Sequence, residues 1–448
     1  MTRRALEVNI DTASSGMAPT LEARAWQGLA ATALWLVISL GAAHIALPGW
    51  AAPLILLPSL AISVDTLGPR PLFVRWHLRV PKRLSSVLAT TVLGIGLAVA
   101  FLTLSAPAPT TDQPYIITCA ARDLWHGVDP YNTFEPQCLA RLQPRTDAVT
   151  PLEQGPFAEL HHYPSSAQLA VAITRDQRDN SHAGFAAYGL PPEAAILIFP
   201  AAFGGWFAIS LWVVALTGLL LAGIWARARP WSPPVLAWQV AGLALLWASF
   251  RWNPEDIAYL LLALSFARID RPRVSAVAMA AAICSNPLSW ITVPVYLAIL
   301  ARRSDFRARL VWLSGAVLIG VLPWLIWDHA LLGELWRFIA LPLFPFGASL
   351  AALVPPPNGL HWLFTLGLVV GIVACAFVAW RWPRWRWSMA VVVYGSFVLS
   401  WQAPLFYVMP ILWLSPAVAL GACRLERKDT VTDSEPADRG VTVLSSAG

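Results

Sequence analysis

A chain of 448 residues that is 57% hydrophobic and only 12% charged carries about half the charge of a soluble domain. That balance excludes an ordinary water-soluble enzyme and implies an all-α, polytopic transmembrane protein, because helices satisfy their own backbone groups in lipid. The net charge of +6 reads as topology, since Arg clusters at the ends of apolar runs; no nucleic-acid partner is expected.

In chain order, residues 1–25 carry Arg3, Arg4 and Arg24 and no apolar region, and they read as a cytoplasmic tail. Residues 26–83 form a membrane hairpin (Trp26 to Leu47 out, Ala51 to Val64 back) followed by the basic inner loop Arg70 to Arg83. Leu84 to Ala106 then crosses outward and opens the main membrane domain, 84–423. Its outer loop, 107–191, holds more Asp and Glu than Arg, the reverse of the inner loops.

A long apolar stretch from Glu193 to Ala226 returns to Arg227 and Arg229, and Val235 to Phe250 and Ile257 to Ala267 make the next pair. Val274 to Ala301 lies between two Arg clusters. A single crossing would place those clusters on opposite sides, whereas two short limbs broken at Ser285-Asn286-Pro287 keep both inside. Each limb is shorter than the roughly 20 residues of a full span, so the break implies a half-membrane cavity opening outward. Leu310 to Trp327, His361 to Trp380, Met389 to Trp401 and Leu405 to Cys423 complete about twelve crossings, short broken pairs included. Residues 424–448 read as a disordered cytoplasmic tail. The expected location is a bacterial plasma membrane, multi-pass, with both termini cytoplasmic.

This threading gathers polar residues on the outer side: Asp112, Arg122, Arg251, Asp256, His329, Arg337 and His361 among them. Span centres hold almost no ionisable residue, which disfavours a proton-coupled carrier and favours chemistry at the outer face. The segment TDQPYIITCAARDLWHGVDPY, Thr111 to Tyr131, follows the Leu84 to Ala106 span directly. Pro114 fits a first helical turn, with Thr111 or Asp112 as cap. On that helix Tyr115, Cys119, Arg122 and His126 share one side, and Ile116, Ala120 and Leu124, with Ile117 and Trp125, form a face for lipid. Gly127 ends the helix and Asp129-Pro130-Tyr131 makes a rigid turn. Asp112 is open to two readings from the residues alone, a helix cap or a general base. Cys119 and Cys138 share the outer loop and could form a disulfide. Glu159, His161, His162 and His182 match no metal-site spacing, so neither metal nor cofactor is expected.

Thr111 to Tyr131 resembles the first outer loop of the GT-C glycosyltransferases, above all the bacterial polyprenyl-phosphomannose-dependent α-mannosyltransferase-like branch. Tyr188-Gly189-Leu190-Pro191-Pro192, Arg251-Trp252-Asn253-Pro254-Glu255-Asp256, Ser285-Asn286-Pro287 and Pro357-Asn358-Gly359-Leu360 follow in the order of that layout, and the resemblance covers Leu84 to Cys423. The N-terminal hairpin, the polar 143–189 loop and two extra residues between Tyr188 and Pro191 depart from it. The resemblance implies a GT-C-like fold and Asp112 as the base for inverting transfer. The donor would be a polyprenyl-phosphate sugar, mannose first, and the acceptor an envelope glycolipid or glycan amid membrane lipid. Arg251, then Arg337 and Arg122, would meet the leaving phosphate. His329, His361, Tyr115 and Asp256 complete the substrate-binding candidates. A transporter or flippase for a lipid-linked envelope component and a non-catalytic scaffold are the alternatives.

Overall fold

The computed structural model describes residues 113–131, 191–225, 255–328, 350–353, 361–400 and 417–422, with positions 61, 64, 67, 167, 168, 171, 332, 414, 424 and 425. Among the described residues there are helices and turns and no strand. In chain order they are α1 (Gln113–Trp125), α2 (Pro192–Ile198), α3 (Gly205–Trp225), α4 (Glu255–Ala267), α5 (Pro272–Ser285), α6 (Val293–Leu300), α7 (Phe306–Trp327), α8 (Leu350–Leu353), α9 (His361–Arg381) and α10 (Arg386–Val392). Three of them, over Gly205–Ile224, Phe306–Trp327 and Trp362–Arg381, are long and apolar enough to cross a membrane. The expected crossings at 26–47, 84–106 and 235–250 lie outside the described residues, as does most of 51–64 and 405–423.

The stretch read as one apolar run from Glu193 to Ala226 is divided. Pro200 cannot donate a backbone hydrogen bond, and Phe199–Ala201 tightens into a 3-10 turn. Gly205, at φ 69°, then takes the left-handed conformation that redirects the chain into α3. The result is a short helix, α2, set apart from the long one.

The break at Ser285-Asn286-Pro287 forms as the sequence implies. Pro287 disfavours a helical conformation in the residue before it, and Asn286 is extended at φ −155°, ψ 129°. The Asn286 side-chain oxygen accepts from the Leu288 N–H at 2.7 Å and starts the 3-10 turn Pro287–Thr292. Trp290 donates from Nε1 to the Ile283 carbonyl at 2.8 Å, strapping the turn to the end of α5. The two limbs are linked through a side chain: Ser275, near the start of α5, hydrogen-bonds the Tyr296 hydroxyl in α6 at 2.7 Å. The pair is a helical hairpin, and α5 is about 20 Å long, shorter than the roughly 30 Å of a hydrocarbon core.

Because α5 goes in and α6 comes back, the Arg clusters on either side of the hairpin share one end of the bundle. Arg268 donates to the Gly223 carbonyl near the end of α3, and Arg424 donates to the Ala267 carbonyl at the end of α4. Arg273 stacks over Trp312 near the start of α7, and Arg302 over Trp380 near the end of α9. Arg309 is buried and paired with Asp305 at 2.7 Å. Burial by itself would raise the Asp305 carboxyl, but the hydrogen bonds and charge of Arg309 and Arg303 outweigh it and hold it below its ordinary value.

Helices α4 and α5 approach closely because the buried side of α5 carries small residues, Ala276, Ala278, Ala280 and Ala282. Small residues serve the same end elsewhere: Gly421 leaves no room for a Cβ beside the Phe266 carbonyl, and Gly371 none beside Ser396. In contrast α7 and α9 turn apolar side chains outward along most of their length, with Ile319 at 78% exposure.

Candidate functional site

At the end away from the Arg clusters, α1, α2 and the 3-10 turn pack together beside the turn of the α5–α6 hairpin. The GVDPY segment that closes α1 is a folding device in every residue. Gly127, at φ +70°, is the left-handed C′ residue. The Val128 N–H reaches the Asp123 carbonyl at 2.9 Å and the Gly127 N–H reaches Leu124 at 3.1 Å, the two bonds of a Schellman cap. Asp129 accepts the Tyr131 N–H at 2.9 Å, which sets the turn around Pro130, and Tyr131 is buried.

The expected lipid-facing side of α1 is a correction. Ile117 and Ala120 are buried in one cluster with Ala194, Ala195 and Ile198 of α2. The physical reason is the Pro200 break, which frees α2 to fold onto α1 and offer it a protein surface. Thr118 spends its hydroxyl on the Pro114 carbonyl at 2.7 Å, which lets a polar residue lie within the packed helix. Trp125 stacks on Phe199 at 4.2 Å and donates from Nε1 to its carbonyl at 2.8 Å.

The candidate residues are now placed as far as the structure describes them. Tyr115 is fully buried and meets Trp206 edge-on at 4.8 Å, holding the start of α1 against the start of α3. Arg122 donates from Nε to the Ala202 carbonyl at 2.9 Å and lies 5.7 Å from the Phe203 ring centroid, so it pins the 3-10 turn. Asp256 falls in the first turn of α4 and His361 begins α9; their side chains lie outside the described residues. Asp112, Arg251, His329 and Arg337 lie outside them altogether, Asp112 being the residue immediately before α1. Cys119 is disulfide-bonded to a partner outside the described residues, where Cys138 also lies, while Cys284 and Cys375 are free. Glu159, His161, His162 and His182 are likewise outside.

One polar residue at this end was passed over in the sequence. Glu193, at the head of α2, packs against α7 and the tip of α5: a Cβ built on Gly320 would stand 2.6 Å from its Oε1 and 3.0 Å from Cys284 Sγ. Its Oε2 is buried without a hydrogen-bond partner, and so are Asn286 Nδ2 and Ser289 Oγ at the hairpin turn. The signal was a carboxylate after Pro191-Pro192 at the head of an otherwise apolar run, which resembles an ordinary span boundary. Only the fold of α2 against Gly320 carries it inward.

No family model, curated protein or solved structure matches the chain.

Proposed function

We propose that this protein is a membrane glycosyltransferase that moves a sugar from a polyprenyl-phosphate donor to a glycolipid or glycan acceptor at the face away from its arginine-rich ends. The observation that carries this reading is the anchoring of α1. Its end is capped through Gly127, its body packs on α2, and Arg122 and Trp125 bind the 3-10 turn. A carboxylate placed immediately before so rigid an element would have a fixed position relative to the bundle, which general-base catalysis requires. The resemblance of Thr111 to Tyr131 to the GT-C outer loop supports the same assignment.

In this mechanism Asp112 takes the proton from the acceptor hydroxyl as that oxygen attacks the anomeric carbon. The bond to polyprenyl phosphate breaks on the opposite side, with inversion. The leaving phosphate gathers charge, and Arg251 is the first candidate to meet it. Arg337 follows; Arg122 ranks last, because its Nε is already committed to Ala202.

A second reading, a carrier for a lipid-linked envelope component, draws on Glu193, a carboxylate with a buried unpartnered oxygen between helices. Purified protein supplied with labelled polyprenyl-phosphate mannose and a membrane extract separates the two. Transfer that falls at least about 100-fold in Asp112→Asn, with unchanged thermal stability, supports the base assignment. Transfer that persists in Asp112→Asn removes that assignment. Movement of the lipid-linked sugar across vesicles without any transfer would favour the carrier.

A further inference from the structure

At the arginine-rich end the hairpin geometry sets exposed cations beside exposed indoles. Arg273, Arg302, Arg307, Arg381 and Arg384 are all exposed. Arg273 lies 5.1 Å from the Trp312 ring centroid and Arg302 lies 5.7 Å from that of Trp380. The described carboxylates at this end are Asp270 and Asp305, and the salt bridges of Asp305 go to Arg303 and Arg309 rather than to the exposed arginines.

A guanidinium held over an aromatic ring uses its face for the cation–π contact and keeps its N–H edge free. That edge is the fork that fits two oxygens of a phosphate. The surface inward of the pairs is apolar: Ile319 lies about two turns beyond Trp312 on the same side of α7 at 78% exposure, and Phe377 lies one turn before Trp380 at 51%. A ligand matching both parts has an anionic head and hydrocarbon below it. An acidic soluble peptide would leave the apolar part unmatched.

We infer that Arg273 with Trp312, and Arg302 with Trp380, together with Arg307 and Arg384, form a binding surface for the phosphate headgroup of an anionic phospholipid. The surface is separate from the end at which glycosyl transfer is proposed, and its occupation does not depend on that reading. Bound lipid would tie α5 to α7 and α6 to α9, holding the two limbs of the hairpin in place.

The experiment uses the full chain, delipidated in neutral detergent, titrated with phosphatidylglycerol or phosphatidylcholine and followed by native mass spectrometry and melting temperature. Phosphatidylglycerol is expected to bind and raise the melting temperature more than phosphatidylcholine does. The Arg273→Ala/Arg302→Ala variant should lose affinity by about fivefold for each arginine. Trp312→Leu/Trp380→Leu, which keeps the charges, should weaken binding less. Equal binding of the two lipids by the unaltered protein overturns the proposal, as does unchanged phosphatidylglycerol affinity in the arginine variant. Inorganic phosphate that stabilises the unaltered protein as well as phosphatidylglycerol does would make this a soluble-phosphate site and overturn the lipid assignment.

Discussion

Helix α1 and helix α7 invert the usual relation between apolarity and burial. α1 is 13 residues of mixed character, carrying Gln113, Thr118, Arg122 and Asp123, yet Tyr115, Ile117, Thr118, Ala120, Ala121 and Asp123 are all buried. α7 is 22 residues and almost wholly apolar beyond its first turn, yet only Arg309 and Leu313 are buried along it. In a membrane, apolar side chains have a solvent in the lipid, so burial falls instead to small residues and hydrogen-bonded polar groups. Hydropathy locates the lipid-facing helices; it says little about where the protein packs against itself.

Substitutions can test this contrast, beginning with the largest expected effect. Tyr115→Ala removes a fully buried ring packed on Trp206 and should destabilise by about 3–5 kcal/mol, read as a lowered melting temperature in detergent. A near-neutral result would show that α1 is not held by packing. Gly320→Val, on the otherwise exposed α7, should cost about 1–3 kcal/mol, because any Cβ meets Glu193 and Cys284. Gly223 on α3 faces only a Leu264 methyl at 3.4 Å and should tolerate Ala far better in the same assay. Gly127→Ala forces a left-handed conformation on a residue with a Cβ and should cost about 1–2 kcal/mol. There is open space around it, so backbone strain is the sole cause. At the smallest end, Ile319→Ala should stay within about 0.5 kcal/mol, although it removes as much carbon as Gly320→Val adds. A loss comparable to that of Tyr115→Ala would mean that protein, not lipid, covers α7.

The arginine-rich end offers a pH test. Asp305 is held below its ordinary carboxylate value by Arg309 and Arg303, so the folded state keeps it ionised where the unfolded chain would protonate it. Its contribution is fully present above the unfolded value and is lost as pH falls through the lowered folded value. Melting temperature should therefore fall on acidification below about pH 4, and Asp305→Asn should flatten that acid limb. An acid limb unchanged by the substitution would assign it to other carboxylates.

The hairpin and the α1 cap were legible in the sequence for a shared reason: each rests on residues with hard local rules. Pro287 restricts Asn286, and Gly127 alone tolerates its φ at no cost, so Ser285-Asn286-Pro287 and GVDPY announce themselves. The Arg clusters added direction, because the same charge at both ends of Val274 to Ala301 required a return, and the Ser275–Tyr296 hydrogen bond spans it. The lipid face drawn on α1 was wrong because helical periodicity describes a stripe without naming what covers it. α2 covers it, from a segment far along the chain, through a break at Pro200 that lay inside a continuous apolar run.

The sequence by itself determined that the described residues are helical with segments long and apolar enough to cross a membrane, where the α5–α6 hairpin turns, and how α1 ends. These follow from composition, from proline and glycine chemistry, and from charge at helix ends, all of which act within a few residues. Tertiary structure alone decided that α1 is buried and that Glu193 lies against Gly320 and Cys284. It also decided that Arg273 and Arg302 stand over Trp312 and Trp380. Each of these depends on contacts between segments far apart in the chain, where side-chain volume and helix approach, rather than any local preference, select the neighbour.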